Sequence, residues 1–198
     1  MITRRSIVVA LFVVMSTSLL IQAQDKQTSM SPRERELAEA WAALKKNPHD
    51  SKTQELYLNA FPHNYKEFVA FFVDGRNFSD GFDVIMLLPS LAENHADELG
   101  KLLIELGRDA KWDADAPNYL QDVTTVYAGQ HAKTFASLIN QLPPKDHSNL
   151  ITFLADKENH AAYKEYQDVI DRLRSIGQDR LAKEFEVARE KRVRQPHG

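Results

Sequence analysis

The chain of 198 residues contains no cysteine. That absence excludes a disulfide framework, a thiolate metal site and a cysteine nucleophile. Glycine and proline are scarce, with 7 and 8 positions, which excludes collagen-like and low-complexity chains. An excess of one charge is missing too: 25 Lys and Arg stand against 28 Asp and Glu, for a formal net charge of −3. Nucleic acid is therefore not expected as a partner, because phosphate binding calls for a basic footprint. No phosphate loop, dinucleotide fingerprint, nucleophile elbow or HExxH zinc motif is written in the sequence.

Long hydrophobic runs are lacking, with one exception at the start. Arg4 and Arg5 precede an unbroken apolar run over residues 7–15. Ser16, Thr17 and Ser18 interrupt it, and residues 19–21 resume it. A basic start, a short apolar core and a small residue at the cut describe a secretory signal peptide over residues 1–23, cleaved after Ala23. The rival is an uncleaved anchor, but the apolar stretch falls short of the roughly 20 residues that span a bilayer. No cysteine follows the apolar core, so a lipoprotein anchor is excluded. The expected location is periplasmic or secreted, with no stable membrane anchor after cleavage. Removing residues 1–23 takes away two cations and no acid, so −3 becomes −5.

The rest of the chain carries helical periodicity. Residues 24–31 are polar and read as a flexible leader, and residues 32–195 as one helical domain. Ser31 suits an N-cap and Pro32 a first helical position. Leu37, Ala40, Trp41 and Leu44 fall at i, i+3, i+4 and i+7, the spacing of one helix face. The same template fits Tyr65, Phe68, Val69 and Phe72. It fits again at Leu99, Leu102, Leu103 and Leu106, at Phe135, Leu138, Ile139 and Leu142, and at Tyr166, Val169, Ile170 and Leu173. Leu120, Val123 and Tyr127 give a shorter match. Sustained period-2 alternation is absent. The fold class is all-α: about nine or ten mostly antiparallel helices in an irregular bundle or a superhelical stack of helix pairs. Gly75, Gly107, Gly129 and Gly177 follow apolar helical patterns and read as C-terminal caps. Most of the aromatics between Phe61 and Phe82 fall on the core stripe, whereas Phe71 lies off it and suits the lining of a groove.

Candidate sites come from two loops. The first, residues 74–81, holds Asp74, Arg76 and Asp80, but a calcium loop begun at Asp74 would need oxygen donors where Arg76 and Phe78 stand. It reads as a turn with side-chain caps. The second, residues 109–118, concentrates Trp112, Asp113, Asp115 and Asn118 between two strong helices. Asp115 and Pro117 suit the start of the next helix, and Trp112 the closing of the core. A Trp among acids is also the build of a protein-binding hot spot. The partner-binding set is accordingly Trp112, Asp113, Asp115 and Asn118, with Asp74 and Arg76. The seven histidines form no ligand cluster at helical spacing, and most read as surface or capping residues. The cations of the last helix are diluted by acids and suit its C-terminal dipole. No catalytic residue, metal or cofactor is expected.

The build is similar to that of small exported helical proteins that bind another protein, among them bacterial immunity proteins against periplasm-targeted toxins. The expected role is protein binding, with a basic toxin or an envelope protein as partner. Two alternatives stand beside it: a carboxylate-dependent cell-wall hydrolase, and a helical envelope scaffold or adaptor.

Overall fold

A computed structural model describes residues 30–74, 81–111, 116–156 and 163–194. The described residues form a single-domain all-α bundle. Its helices are α1 (Pro32–Lys46), α2 (Ser51–Ala60), α3 (Tyr65–Phe72), α4 (Gly81–Met86), α5 (Ala92–Arg108), α6 (Ala116–Gln130), α7 (Ala132–Ile139), α8 (Pro144–Ala155), α9 (Tyr163–Ser175) and α10 (Asp179–Arg194), with a 3₁₀ turn at Leu88–Leu91.

Local chemistry sets the helix ends. Ser31 Oγ accepts from the Glu34 backbone N–H while the Glu34 carboxylate accepts from the Ser31 N–H, a reciprocal cap on α1. Asp50 caps α2 through Thr53, and those hydrogen bonds hold its carboxyl below the ordinary range. Asn64 caps α3. Past the end of α9, Gly177 takes φ +75°; its N–H reaches the Arg174 carbonyl and that of Gln178 reaches Leu173. This is a Schellman closure, and it turns the chain into α10.

Helices α5 and α6 form the centre. Helix α5 packs against α2, α3, α6, α7, α8 and the 3₁₀ turn, and α6 against α4, α5, α7, α8 and α9. A stack of helix pairs would restrict each pair to its neighbours, so the arrangement is a bundle. One continuous core runs from Leu37 in α1 to Phe185 in α10. The stripes of α5, α6 and α9 are buried as their spacing predicts. An aromatic chain links α1 to α3, with ring centroids 6.0 Å apart at Trp41–Tyr57, 5.9 Å at Tyr57–Phe61 and 6.4 Å at Phe61–Phe68.

Three sequence expectations are corrected. Phe71 is in the core at 6% exposure rather than in a groove. Gly107 and Gly129 lie inside α5 and α6 and cap nothing. Gly107 instead permits close packing, since a Cβ there would stand 2.5 Å from Leu150 Cδ1.

Candidate functional site: the cleft between the α6–α7 joint and α9

Helix α6 stops at Gln130 and α7 begins at Ala132, with His131 between them at φ −118° and ψ 42°. The joint is tied to α5. Tyr127, in the last turn of α6, donates its phenolic hydrogen to the Ala96 carbonyl at 2.7 Å. Its ring stacks on His131, centroids 5.1 Å apart and planes 18° apart. Burial, followed by the nearby charges of Asp97 and Glu98, pushes the Tyr127 phenol up to about 12. Ala96 follows His95, where α5 itself leaves helical geometry at φ −135°. Two irregular points in neighbouring helices are thus joined by one buried hydroxyl.

Opposite this joint stands α9. Its apolar residues Tyr166, Val169, Ile170 and Leu173 face the core, and Tyr166 also donates to the Phe185 carbonyl of α10 at 2.8 Å. The other face carries Glu165, Asp168 and Asp171, exposed and spaced three residues apart. Three residues of helix advance about 4.5 Å, so the carboxylates form a short row. Between that row, with Arg172 beside it, and Gln130, His131, Lys133 and Thr134 lies a cleft of about 1120 Å³, so three acids share its lining with two cations and a histidine. Among the described residues, none of the three carboxylates nor the Lys133 ammonium takes part in an ion pair; Asp171 accepts one hydrogen bond, from Gln167 at 2.8 Å. Like charges one helical turn apart each cost a few tenths of a kcal/mol. A cation seated along the row would relieve that repulsion.

Further contacts tie the helices around the cleft to α8 and α10. Gln121, fully buried in α6, donates to the Asp156 carbonyl at the end of α8 at 2.9 Å, and also to the Phe153 carbonyl. Arg192 of α10 pairs with Asp156, and burial raises the Asp156 carboxyl against the pull of that guanidinium. His147 of α8 bridges the Glu184 carboxylate of α10 at 2.7 Å and the Ile139 carbonyl of α7 at 3.2 Å. His147 is therefore a packing residue between three helices. His95 lies against Ser51 at 3.1 Å. Among the described residues no group of three His, Asp or Glu is placed to hold a metal ion, and no helix is long and apolar enough to cross a membrane.

Of the partner-binding residues chosen from sequence, only Asn118 and Asp74 are described, and neither lines the cleft. Asn118 is half-buried in the first turn of α6, and Asp74 is exposed beyond the end of α3. The cleft lies at the other end of α6. Trp112, Asp113, Asp115 and Arg76 are outside the described residues, as are Gly75, His160, His197 and the segment 1–23. The cleft residues Glu165, Asp168, Asp171, His131 and Lys133 were not singled out. Their one sequence signal was an acid every third residue on the face opposite the Tyr166–Leu173 stripe. No protein-family model matches the chain, and no curated protein or solved structure matches it.

Proposed function

We infer that this is an exported binding protein that holds a cationic segment of a partner protein in the α6–α9 cleft. The observation that carries the reading is the row of Glu165, Asp168 and Asp171, solvent-facing and without ion pairs among the described residues, along an open cleft large enough for a polypeptide. The signal-like segment 1–23 supports export to the periplasm or beyond. The charge of −5 after its removal favours capture of a basic partner, such as a toxin or an envelope protein. An immunity or inhibitor role follows if that partner is toxic.

The hydrolase reading has less support from this geometry. Glycoside hydrolysis needs two carboxyl groups flanking the scissile bond, roughly 5–9.5 Å apart. Here the described acids stand on one wall, and His131 and Lys133 face them.

The test uses a fluorescein-labelled Lys–Gly repeat peptide, which offers charge without an apolar face, and its Glu–Gly counterpart. The Lys–Gly peptide is expected to bind, with affinity falling as salt rises. The combined variant Glu165→Gln, Asp168→Asn and Asp171→Asn is expected to weaken it at least about tenfold. Equal binding by that variant, or preference for the Glu–Gly peptide, overturns the assignment of the cleft.

A further inference from the structure

A second surface lies at the opposite end of α6 from the cleft. Helix α4 turns Phe82 and Met86 outward, one helical turn apart, at 52% and 36% exposure. Phe82 is not loose. Its ring meets Tyr119 of α6 edge-on, centroids 4.9 Å apart and planes 83° apart. Such a contact fixes an aromatic side chain while leaving much of it in water, which lowers the entropic cost of using it as an anchor. The start of α4 rests on the end of α3, since a Cβ at Gly81 would stand 3.5 Å from Phe72 Cδ1. Next to Phe72 is Val73, 40% exposed.

Acids accompany these apolar residues. Asp83 follows Phe82 and is exposed, and Asp74 follows Val73. We propose that the Phe82–Met86 face of α4 docks a cationic amphipathic helix of a partner protein. The partner's apolar ridge would seat against Phe82 and Met86, and its Lys and Arg would meet Asp83 and Asp74. Charge complementarity selects this occupant. A second copy of the chain, docked about a two-fold axis, would bring Asp83 and its neighbours against the same acids. An anionic membrane would be repelled by them. Between Tyr119 and Thr125–Gln130 the axis of α6 advances about 9–17 Å, so this surface and the cleft can be occupied together. A protein with both surfaces filled is an adaptor.

The test is fluorescence anisotropy of the full chain with two labelled 18-residue helical peptides sharing one leucine face, one completed with lysine and one with glutamate. The Leu/Lys peptide is expected to bind and the Leu/Glu peptide not to bind. Phe82→Ala and Asp83→Lys are each expected to weaken the Leu/Lys peptide about tenfold or more, the size of effect typical of an anchor. Both positions are exposed, so unchanged circular dichroism is expected to confirm folding. The measurements are repeated in the Glu165→Gln, Asp168→Asn and Asp171→Asn background, which removes the cleft's share of Leu/Lys binding; the losses on Phe82→Ala and Asp83→Lys are expected to persist there, which separates the present proposal from the cleft reading. Equal binding of the two peptides overturns the proposal, as does insensitivity to Phe82→Ala. A concentration-dependent dimer in sedimentation that Phe82→Ala abolishes also overturns it, because the occupant is then a second copy.

Discussion

At the scale of single residues, the most demanding position is Gly100 in α5. A Cβ there would lie 2.3 Å from Tyr127 Oη, 2.8 Å from Tyr127 Cζ and 3.0 Å from Leu138 Cδ1. The missing side chain is what allows the phenol to reach the Ala96 carbonyl. Gly129 in α6 differs, because its nearest new neighbour would be Val169 Cγ2 at 3.9 Å, an ordinary contact. Gly100→Ala must displace a buried ring and is expected to destabilise the protein by about 1–3 kcal/mol, the usual cost of overpacking. Gly129→Ala gains helix propensity without a clash and is expected to stabilise by up to about 1 kcal/mol. Urea denaturation of both variants at neutral pH checks the pair. Equal effects would show that close approach is not what requires Gly100.

At the scale of elements, the same phenol is the joint between α5 and α6, and it has a pH signature. Tyr127 holds its proton up to about 12 in the folded protein, whereas an unfolded tyrosine releases it near 10. The folded state therefore binds more protons across that window, and stability falls as pH rises through it. Tyr57, fully buried and donating to the Val84 carbonyl, is shifted in the same direction by burial. Stability measured by urea between pH 8 and 11.5 is expected to be flat at first and then to decline above about 10. Tyr127→Phe is expected to reduce that decline without abolishing it, since Tyr57 still contributes; a decline of unchanged steepness would remove Tyr127 from the joint. Elements of this kind were partly legible in the sequence. Stripes on long helices were readable, because α5, α6 and α9 each bury a face wide enough for 3.6-residue periodicity to identify it. The short helices were not. Helix α3 carries Phe68, Val69, Phe71 and Phe72 within five residues, so apolarity surrounds the axis and tertiary contact alone decides that Phe71 is buried. Helix α4 has barely more than one turn, and packing on α6 leaves Phe82 outside. The cleft was legible only as scattered charges, because its walls come from residues 125–134 and 165–176 and no local motif joins them.

At the scale of the whole molecule, the described domain carries its own beginning. Its first helix is closed by the Ser31–Glu34 reciprocal cap, eight residues beyond the expected cut after Ala23. The core starts at Leu37 and holds no cysteine, so its stability rests on packing, caps and buried hydrogen bonds such as those joining α2 to α4, α5 to α6, α6 to α8, and α9 to α10. On the export reading, cleavage after Ala23 removes two cations and is expected to leave this core intact. The protein recovered from the periplasm of an expressing Gram-negative host is expected to begin at Gln24 when its N-terminus is sequenced. A chain made directly from Gln24 is expected to match it in thermal midpoint and in affinity for the Lys–Gly peptide. A recovered N-terminus at Met1 in the membrane fraction would overturn cleavage and make residues 1–23 an anchor. In that case the acidic cleft would be held near a membrane surface, and it would meet partners there rather than in the open periplasm.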